Sequence, residues 1–164
     1  MTIGKFDGVH IGHRSILNEL ERFKKEKGLE SVVLTFDFSY FSGKDGERLN
    51  SFEEKTAILK SEGIDVMIDY PFDEDIKRIK AEDFVRSVLV KRLGAKAVIV
   101  GENFRFGFEA KGDPSLLKEM GKEFGFEVVV IPCINYEGSV VSSSRIRIEK
   151  KEGHTEKVKE MLGY

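Results

Sequence analysis

An α/β fold built around a single parallel sheet is the structure that this sequence predicts, and three observations indicate it. Short apolar runs alternate with longer segments of helical periodicity, as in parallel strands joined by crossover helices. The later apolar runs are rich in Val and Ile, which is typical of strands covered on both faces. No internal repeat, low-complexity tract or interdomain linker interrupts the pattern, so residues 1–164 are predicted to form one domain.

The apolar runs predict five strands, at residues 1–6, 31–36, 65–70, 96–101 and 127–132. Right-handed crossovers between them produce a doubly wound sheet. In such a sheet, ligands bind beyond the carboxyl ends of the strands, where the winding direction reverses. We therefore expect the functional residues in the loops after strands one, two, four and five. The loop after strand two, up to Asn50, is the longest of these.

Helices are predicted between the strands. They cover about residues 12–27, a segment after Ser51, about residues 81–93, a segment that begins at Asp113 and Pro114, and one or two short helices within 143–162. Gly28 lies just past the first helix as a C-cap. Ser51 and Glu54 form a capping-box pattern at the start of the second, and a proline at the first helical position marks the fourth.

Composition and charge exclude several classes of protein. The 27 basic and 29 acidic residues leave a net charge of -2, so no field of one sign would recruit nucleic acid or an anionic membrane. The one cysteine, Cys133, excludes disulfides and a cysteine zinc site, and its apolar surroundings predict a buried thiol. No apolar run reaches the length of a membrane span, and the sequence opens on a Gly-rich motif rather than a targeting peptide. We expect a cytoplasmic protein.

The densest functional pattern is Gly-Lys-Phe-Asp-Gly-Val-His-Ile-Gly-His at residues 4–13, which leads from the first strand into the first helix. Gly8 and Gly12 remove side chains where a backbone must approach a ligand closely, and the free amides of a helix start bind anionic oxygens. His10 and His13 can lie side by side and add donors to the same polyphosphate, whose charge would favour their protonated form. The pattern therefore predicts a phosphate site.

A second pattern, Gly-Glu-Asn-Phe-Arg-Phe-Gly, occupies residues 101–107 after the fourth strand, with Gly112 and Asp113 close behind. Phe104 and Phe106 place two aromatic rings on a loop at the predicted ligand edge of the sheet. A flat ligand can pack against such rings, although both can equally anchor the loop in the core.

A third pattern, Val-Ser-Ser-Ser-Arg-Ile-Arg, occupies residues 141–147 after the fifth strand. Hydroxyl groups at a helix start supply caps and phosphate donors, and Arg147 can present a forked guanidinium to a phosphate. The segment is expected to close over phosphates only when they are present. Arg145, two residues away, is expected to point elsewhere and to tolerate alanine.

These three patterns together resemble a known family. In the form GxFDGxHxGH, the first resembles the HxGH motif of the nucleotidylyltransferase superfamily and, more closely, the adenylyltransferase half of bacterial bifunctional riboflavin kinase/FMN adenylyltransferases. The second and third are similar to the GEDFRFG…GD and ISSTxIR elements of the same family. The resemblance implies a Rossmann-like fold and a soluble enzyme that transfers AMP from ATP, with Mg²⁺, to FMN, giving FAD and pyrophosphate.

The resemblance also implies which residues form the site. The expected catalytic residues are His10, His13, Ser144 and Arg147. The expected ATP-binding residues are Gly4, Lys5, Phe6, Asp7, Gly8, His10, Gly12, His13, Gly101, Asn103, Ser143, Ser144 and Arg147. The expected flavin-binding residues are Phe36, Asp37, Asn103, Phe104 and Phe106. No protein side chain is assigned as a metal ligand.

The chain departs from the family in two places. The second strand of the family ends in TFxPHP, whereas residues 35–40 read Thr-Phe-Asp-Phe-Ser-Tyr and lack Pro-His-Pro. This departure favours the main alternative, adenylyl or cytidylyl transfer to another small phosphorylated acceptor. A non-catalytic nucleotide- or flavin-binding module is the alternative from another class. Bifunctional members also continue into a riboflavin kinase β-barrel, whereas this sequence ends at Tyr164. A riboflavin kinase is expected elsewhere in the cell or in a missing C-terminal domain.

Overall fold

A computed structural model of the protein describes residues 1–37 and 48–163. Their strands form a five-stranded, all-parallel sheet in the order β3-β2-β1-β4-β5, which confirms the predicted doubly wound α/β class. The strands are β1 Thr2–Ile3, β2 Val32–Asp37, β3 Val66–Pro71, β4 Ala97–Gly101 and β5 Glu127–Ile131. The chain winds outward from β1 to β3 and then outward again through β4 and β5. The winding direction therefore reverses between β1 and β4.

Helices cover both faces of this sheet. They are α1 Ile11–Lys27, α2 Phe52–Ser61, α3 Glu74–Arg78, α4 Ala81–Phe84, α5 Pro114–Phe124, α6 Ser143–Lys151 and α7 Thr155–Leu162. The predicted caps are present: Gly28 adopts the left-handed conformation, Ser51 and Glu54 complete a capping box, and Asp113 accepts from the Leu116 amide. Among the helices of the described ranges, none combines the length and the apolar character needed to cross a membrane.

Alternate residues of the buried strands divide the core between the two faces of the sheet. Ile99 of β4 packs with Leu17 of α1 on one face. Its neighbours Val98 and Val100 pack with Leu117 of α5 on the other. All five side chains are almost completely buried. This double coverage explains the near-continuous apolar runs from which the strands were predicted.

The helix predicted for about residues 81–93 is present but differs in its winding. Its apolar side chains Phe84, Val85 and Leu89 are buried, but the α-helical turn Ala81–Phe84 continues as a wider π-helix over Val85–Arg92. Because the same side chains face the sheet in either winding, the apolar pattern does not report the change.

The first strand is shorter than the predicted residues 1–6, because the backbone turns after Ile3. The Gly4 amide still donates to the Leu34 carbonyl, at 3.1 Å, but Phe6 has a positive φ of 48°. A non-glycine residue held there costs on the order of 1–3 kcal/mol and persists only where its surroundings enforce it. The Phe6 ring is 1% exposed, so core packing holds the strained turn that opens the site.

A β-hairpin follows β5, which the sequence pattern did not predict. Its strands, β6 Asn135–Tyr136 and β7 Ser139–Val140, pair antiparallel to each other outside the main sheet. Helices α6 and α7 come next, as expected for residues 143–162. Val141, Ile146 and Met161 form a small third core between the hairpin and these helices.

Candidate active site

A cavity of about 710 Å³ opens where the winding direction of the sheet reverses. Its wall comes from the turn after β1, the end of β2, the loop after β4, the segment after β5 and the first turn of α6. The segment after β3 contributes as well, although no functional residue was expected there. The volume is within the range of roughly 300–1,000 Å³ that small-molecule sites occupy.

The structure brings most of the predicted site residues into this one wall. Those that line the cavity are Gly4, Lys5, Phe6, Asp7, His10, Gly12, His13, Phe36, Gly101, Asn103, Phe104, Phe106, Ser143, Ser144 and Arg147.

Gly8 and Asp37 are the two exceptions. Gly8 has a φ of +61°, and a Cβ there would lie 2.5 Å from Cδ1 of Leu49, so the packing of the turn is sufficient to require this glycine. Asp37 ends β2, and its side chain lies outside the described part of the structure. The same holds for residues 38–47 of the long loop and for Tyr164.

The two histidines of the first motif are stacked at the start of α1. His10 is the N-cap, and its Nδ1 accepts from the His13 amide at 3.3 Å. The two rings lie 3.8 Å apart, and Phe6 packs 4.8 Å from His13. Gly12 permits this stack, since a Cβ at that position would come 3.2 Å from the His10 ring. Because His10 Nδ1 accepts a hydrogen bond, the proton of the neutral ring is on Nε2.

Burial sets the charge of the pair. Desolvation lowers the pKa of His10 to about 4, and desolvation together with the neighbouring His10 lowers the pKa of His13 to about 3. Both rings are therefore neutral near pH 7. The expectation of protonated histidines considered the charge of a bound polyphosphate and not the burial of the rings, and burial opposes protonation.

This depression predicts that neither ring titrates between pH 8 and pH 5. Because folding lowers the pKa of each histidine, the unfolded chain takes up these protons at a higher pH than the native protein does. The free energy of unfolding therefore decreases as the pH falls from the unfolded pKa of about 6.5 towards the folded values. We expect the ring C–H resonances of His10 and His13, assigned from single substitutions, to stay constant above pH 5. Chemical shifts that titrate with a midpoint near 6.5 would contradict the burial argument.

Asp7 joins three parts of the site. Its carboxylate forms an ion pair with Arg147 of α6 and accepts from the Leu49 amide at 2.8 Å. Its carbonyl accepts from the Ser143 hydroxyl at 2.7 Å. An aspartate before a tight turn often binds its own backbone, but these partners are distant in sequence. Asp7 therefore ties α6 to the β1–α1 turn in the absence of a nucleotide.

The Ser-rich pattern forms the first turn of α6. Ser142 is its N-cap and accepts from the Arg145 amide, as expected for a capping serine. Ser143 and Ser144 line the cavity, with the Ser144 side chain exposed. Arg145 points away from the cavity, as predicted, but it is bound to backbone carbonyls of the hairpin and is not a passive surface residue.

Another part of the cavity wall is aromatic. Phe104 and Phe106 stack with their centroids 5.4 Å apart, and Phe84 lies 5.9 Å from Phe106. Phe106 is 8% exposed and packs so closely on Gly112 that a Cβ there would lie 2.7 Å from its ring. Phe106 therefore anchors the loop as well as lining the cavity, whereas Phe104 is half-buried and more accessible.

Several lining residues were missed by the sequence argument: Phe72, Ile76, Lys77, Ile79 and Phe84. Phe72 lies 5.7 Å from Phe36 in an edge-to-face arrangement. The sequence feature that could have identified Phe72 is its position immediately after β3, at the same edge of the sheet as the other functional loops.

Glu102 and Asp113, the acidic residues of the second pattern and of the helix start behind it, have structural partners. Glu102 accepts from the Cys133 amide at 2.9 Å, and Asp113 caps α5. Cys133 itself is half-buried and lines the cavity, so the prediction of a buried thiol was wrong. Its apolar run ends with β5, and the residue falls in the segment beyond the strand. Burial and Glu102 raise the pKa of the thiol, which keeps it protonated.

One group of residues in the described ranges could hold a metal ion, Glu149, Glu152 and His154. None of these three residues lines the cavity. His154 Nδ1 lies 2.7 Å from Glu149 and 3.4 Å from Glu152, so a hydrogen bond between the imidazole and Glu149 accounts for the arrangement.

The class of protein follows from where these groups meet. At the switch point of a doubly wound parallel sheet, the start of a helix with paired histidines meets Ser and Arg side chains of a C-terminal helix. This is the nucleotidylyltransferase type of α/β domain. The FAD synthetase family model matches residues 1–145, and the chain belongs to that family.

Curated relatives agree with this assignment. Proteins described as bifunctional riboflavin kinase/FMN adenylyltransferase from Buchnera aphidicola (strain Sg) and Escherichia coli K12 are each 32% identical over 168 residues. The match covers 99% and 100% of this chain, respectively, and 54% of each relative. A Haemophilus influenzae protein with the same description is 34% identical over 90% of this chain and 49% of its own. The chain thus spans about half the length of the curated relatives it matches.

Solved structures show the same architecture. A Streptococcus pneumoniae structure described as a macrolide-efflux protein superposes with a TM-score of 0.87 and 25% identity, over 99% of this chain and 54% of that one. Pantoate-beta-alanine ligase from Francisella tularensis superposes with a TM-score of 0.52 and 16% identity, over 98% and 77% of the two chains. The second similarity is one of fold alone.

Proposed function

We propose that this domain is an FMN adenylyltransferase that transfers AMP from MgATP to FMN, giving FAD and pyrophosphate. One observation carries the proposal: a single cavity joins a phosphate-binding end, with His10, His13 and Arg147, to an aromatic end, with Phe104 and Phe106. A nucleotide polyphosphate suits the first end and a flavin ring suits the second. The relatives that share the whole length of this chain carry the corresponding name.

The reaction needs no protein nucleophile. A phosphate oxygen of FMN attacks the α-phosphorus of ATP in line, the bond from that phosphorus to the bridging oxygen breaks, and pyrophosphate leaves with that electron pair. Mg²⁺ arrives with ATP and neutralises part of the charge. The protein therefore works by positioning the two substrates and by directing donors at the charge that develops.

The neutral histidines suit this role. His10 presents Nε2–H as a donor because its Nδ1 is occupied by the His13 amide. A buried neutral ring donates without first losing a bound counter-ion, and a polyphosphate that approaches it raises its pKa towards the protonated form. Ser144 adds a hydroxyl donor, and Arg147 adds a guanidinium once it exchanges its Asp7 partner for phosphate. FMN for this reaction would come from a riboflavin kinase, in the cell or on a further domain.

The experiment incubates the protein with ATP, Mg²⁺ and FMN, separates FMN from FAD and measures pyrophosphate. FAD and pyrophosphate in equal amounts are the expected result. Riboflavin is the matched acceptor control, since it keeps the ring and lacks the attacking phosphate. Turnover with other phosphomonoesters but not with FMN would favour the alternative acceptor. Binding of ATP and FMN without pyrophosphate release would identify a non-catalytic module.

The aromatic end supports a separate prediction about acceptor affinity. Phe104→Ala removes a half-buried ring from the cavity wall, and an aromatic pair contributes about 0.5–1.5 kcal/mol. We expect the KM for FMN to rise roughly three- to ten-fold, with the KM for ATP unchanged. Phe108→Ala is the control, because Phe108 is an exposed ring on the same loop and is not part of the cavity wall. If the two variants have the same FMN kinetics, Phe104 does not contribute to the acceptor site.

A further inference from the structure

We propose that Arg145 is a positioning residue for this site, which fixes the β6–β7 hairpin to the first turn of α6 and so sets where Ser143, Ser144 and Arg147 lie. The proposal rests on the proposed function, since those residues are its phosphate donors. Arg145 itself does not line the cavity and is assigned no contact with either substrate.

The contacts of Arg145 join the two strands of the hairpin. Its Nη1 donates to the Tyr136 carbonyl at 2.7 Å and to the Ser139 carbonyl at 2.8 Å, one on β6 and one on β7. The guanidinium also lies over the Tyr136 ring, 5.5 Å from its centroid. Glu149, one turn further along α6, lies 4.0 Å from Nε. The side chain is only 19% exposed, and the hydrogen bond to Tyr136 is partly buried, whereas the one to Ser139 lies at the surface. Both are charge-assisted, which makes them stronger than neutral hydrogen bonds.

The hairpin needs such a contact because it is intrinsically weak. Its strands have two residues each, and an isolated hairpin of ordinary length is already marginal in water. Its turn contains Glu137 with a φ of 48°, a conformation that costs free energy in a non-glycine residue. The Glu137–Lys157 ion pair at 2.7 Å is largely exposed and contributes little. Tyr136 of β6 also packs against the third core, and Arg145 adds hydrogen bonds to the backbone of both strands.

The position of the hairpin directly affects the position of the first turn of α6. Val141 follows β7, is 5% exposed and donates its amide to Ile134 at 2.9 Å. Ser142 comes next and caps α6 by accepting from the Arg145 amide itself. Ser143 is then hydrogen-bonded to Asp7. Few rotatable bonds therefore separate the hairpin from the hydroxyl groups in the cavity, so a displaced hairpin also displaces these groups. A shift of about 1 Å at a reacting group can lower the rate on the order of 10²-fold.

The test compares two replacements of Arg145. Arg145→Met keeps much of the apolar stem and loses the donors, whereas Arg145→Lys keeps a cation with several donors. We expect Arg145→Met to lower kcat on the order of 10- to 10²-fold while the KM for FMN and the Tm stay near those of the parent. Arg145→Lys should recover most of the loss. Lys150→Met, an exposed position on the same helix, is the matched control and should behave like the parent.

A double-mutant cycle distinguishes positioning from a general loss of structure. If Arg145 acts through Arg147 and its neighbours, Arg145→Met should change kcat much less in an Arg147→Ala background than in the parent. The same fold loss in both backgrounds would overturn the proposal. So would a kcat equal to that of Lys150→Met, or a loss matched by a lower Tm and a higher KM for FMN.

Hydrogen exchange keeps the test independent of the reaction. Faster exchange of amides 135–144 in Arg145→Met, restored in Arg145→Lys, supports the positioning role even if the parent protein forms no FAD. Unchanged exchange in that segment overturns it. Failure of the parent to form FAD would instead count against the proposed function.

Discussion

Replacement of Arg147 by alanine is expected to lower the turnover of FAD formation on the order of 10²- to 10³-fold, the scale of losing one preorganised donor to a transition state. The expected loss in ATP affinity is much smaller. Arg147 is paired with Asp7, so a contact with ATP exchanges one anionic partner for another and gains little. The negative charge that develops on the phosphates in the transition state is not balanced in this way before the reaction. An interaction of Arg147 that forms mainly in the transition state therefore changes kcat rather than ATP affinity.

Asp7 provides the control for this prediction. Arg147→Ala leaves the Asp7 carboxylate unneutralised beside the incoming phosphates, which by itself weakens ATP binding. Asp7→Asn removes that charge and keeps an oxygen that can accept from the Leu49 amide. The double variant Asp7→Asn/Arg147→Ala should therefore regain ATP affinity and remain slow. The measurements are the kinetics and ATP titration of both variants. If Arg147→Ala loses only ATP affinity, or if the double variant recovers turnover, then the role of Arg147 is only to neutralise the charge of Asp7.

Loss of either histidine is expected to lower turnover by on the order of 10²-fold with the fold retained. The structure adds a complication at His10, because its Nδ1 also caps α1. An alanine there removes the cap, at a cost of about 1 kcal/mol, together with the donor. His10→Asn keeps a good capping residue and removes the imidazole, so it should be as slow as His10→Ala and more stable.

His13 requires a different control because its ring is stacked between His10 and Phe6. His13→Phe preserves an aromatic ring in the stack and removes both nitrogens, whereas His13→Ala also leaves a void. Both variants should lose turnover, and only His13→Ala should lose stability as well. Stability from urea unfolding and kcat from the FAD assay are the two measurements. Full activity in His13→Phe would mean that the ring is needed for packing and not as a donor.

Much of the fold could be predicted because its rules act locally along the chain. The capping box at Ser51, the left-handed Gly28 and the proline at the start of α5 each depend on neighbouring residues, and all are present. The strands of the sheet are buried on both faces, so their sequences are apolar without interruption. The parallel order then follows from crossover handedness, which restricts the topology to few choices.

Other features escaped prediction because they depend on contacts between distant segments. The hairpin 135–140 has strands too short to show an alternating pattern, and it is held by Arg145 of the following helix. Phe72 and Phe84 lack any local motif and join the cavity only because β3 and α4 end beside Phe36 and Phe106.

By itself, the sequence determined the doubly wound α/β class and most of the predicted residues that meet at the switch point of the sheet, and it predicts phosphate binding at the β1–α1 turn. Only the tertiary structure decided the state of those residues. The histidines are neutral because the fold buries them, and Arg147 is paired because α6 packs beside Asp7. Arg145 is bound to the hairpin for the same reason. Charge state and partner choice depend on desolvation and on distances of a few ångströms between segments far apart in the chain, and a linear pattern of residue types contains neither.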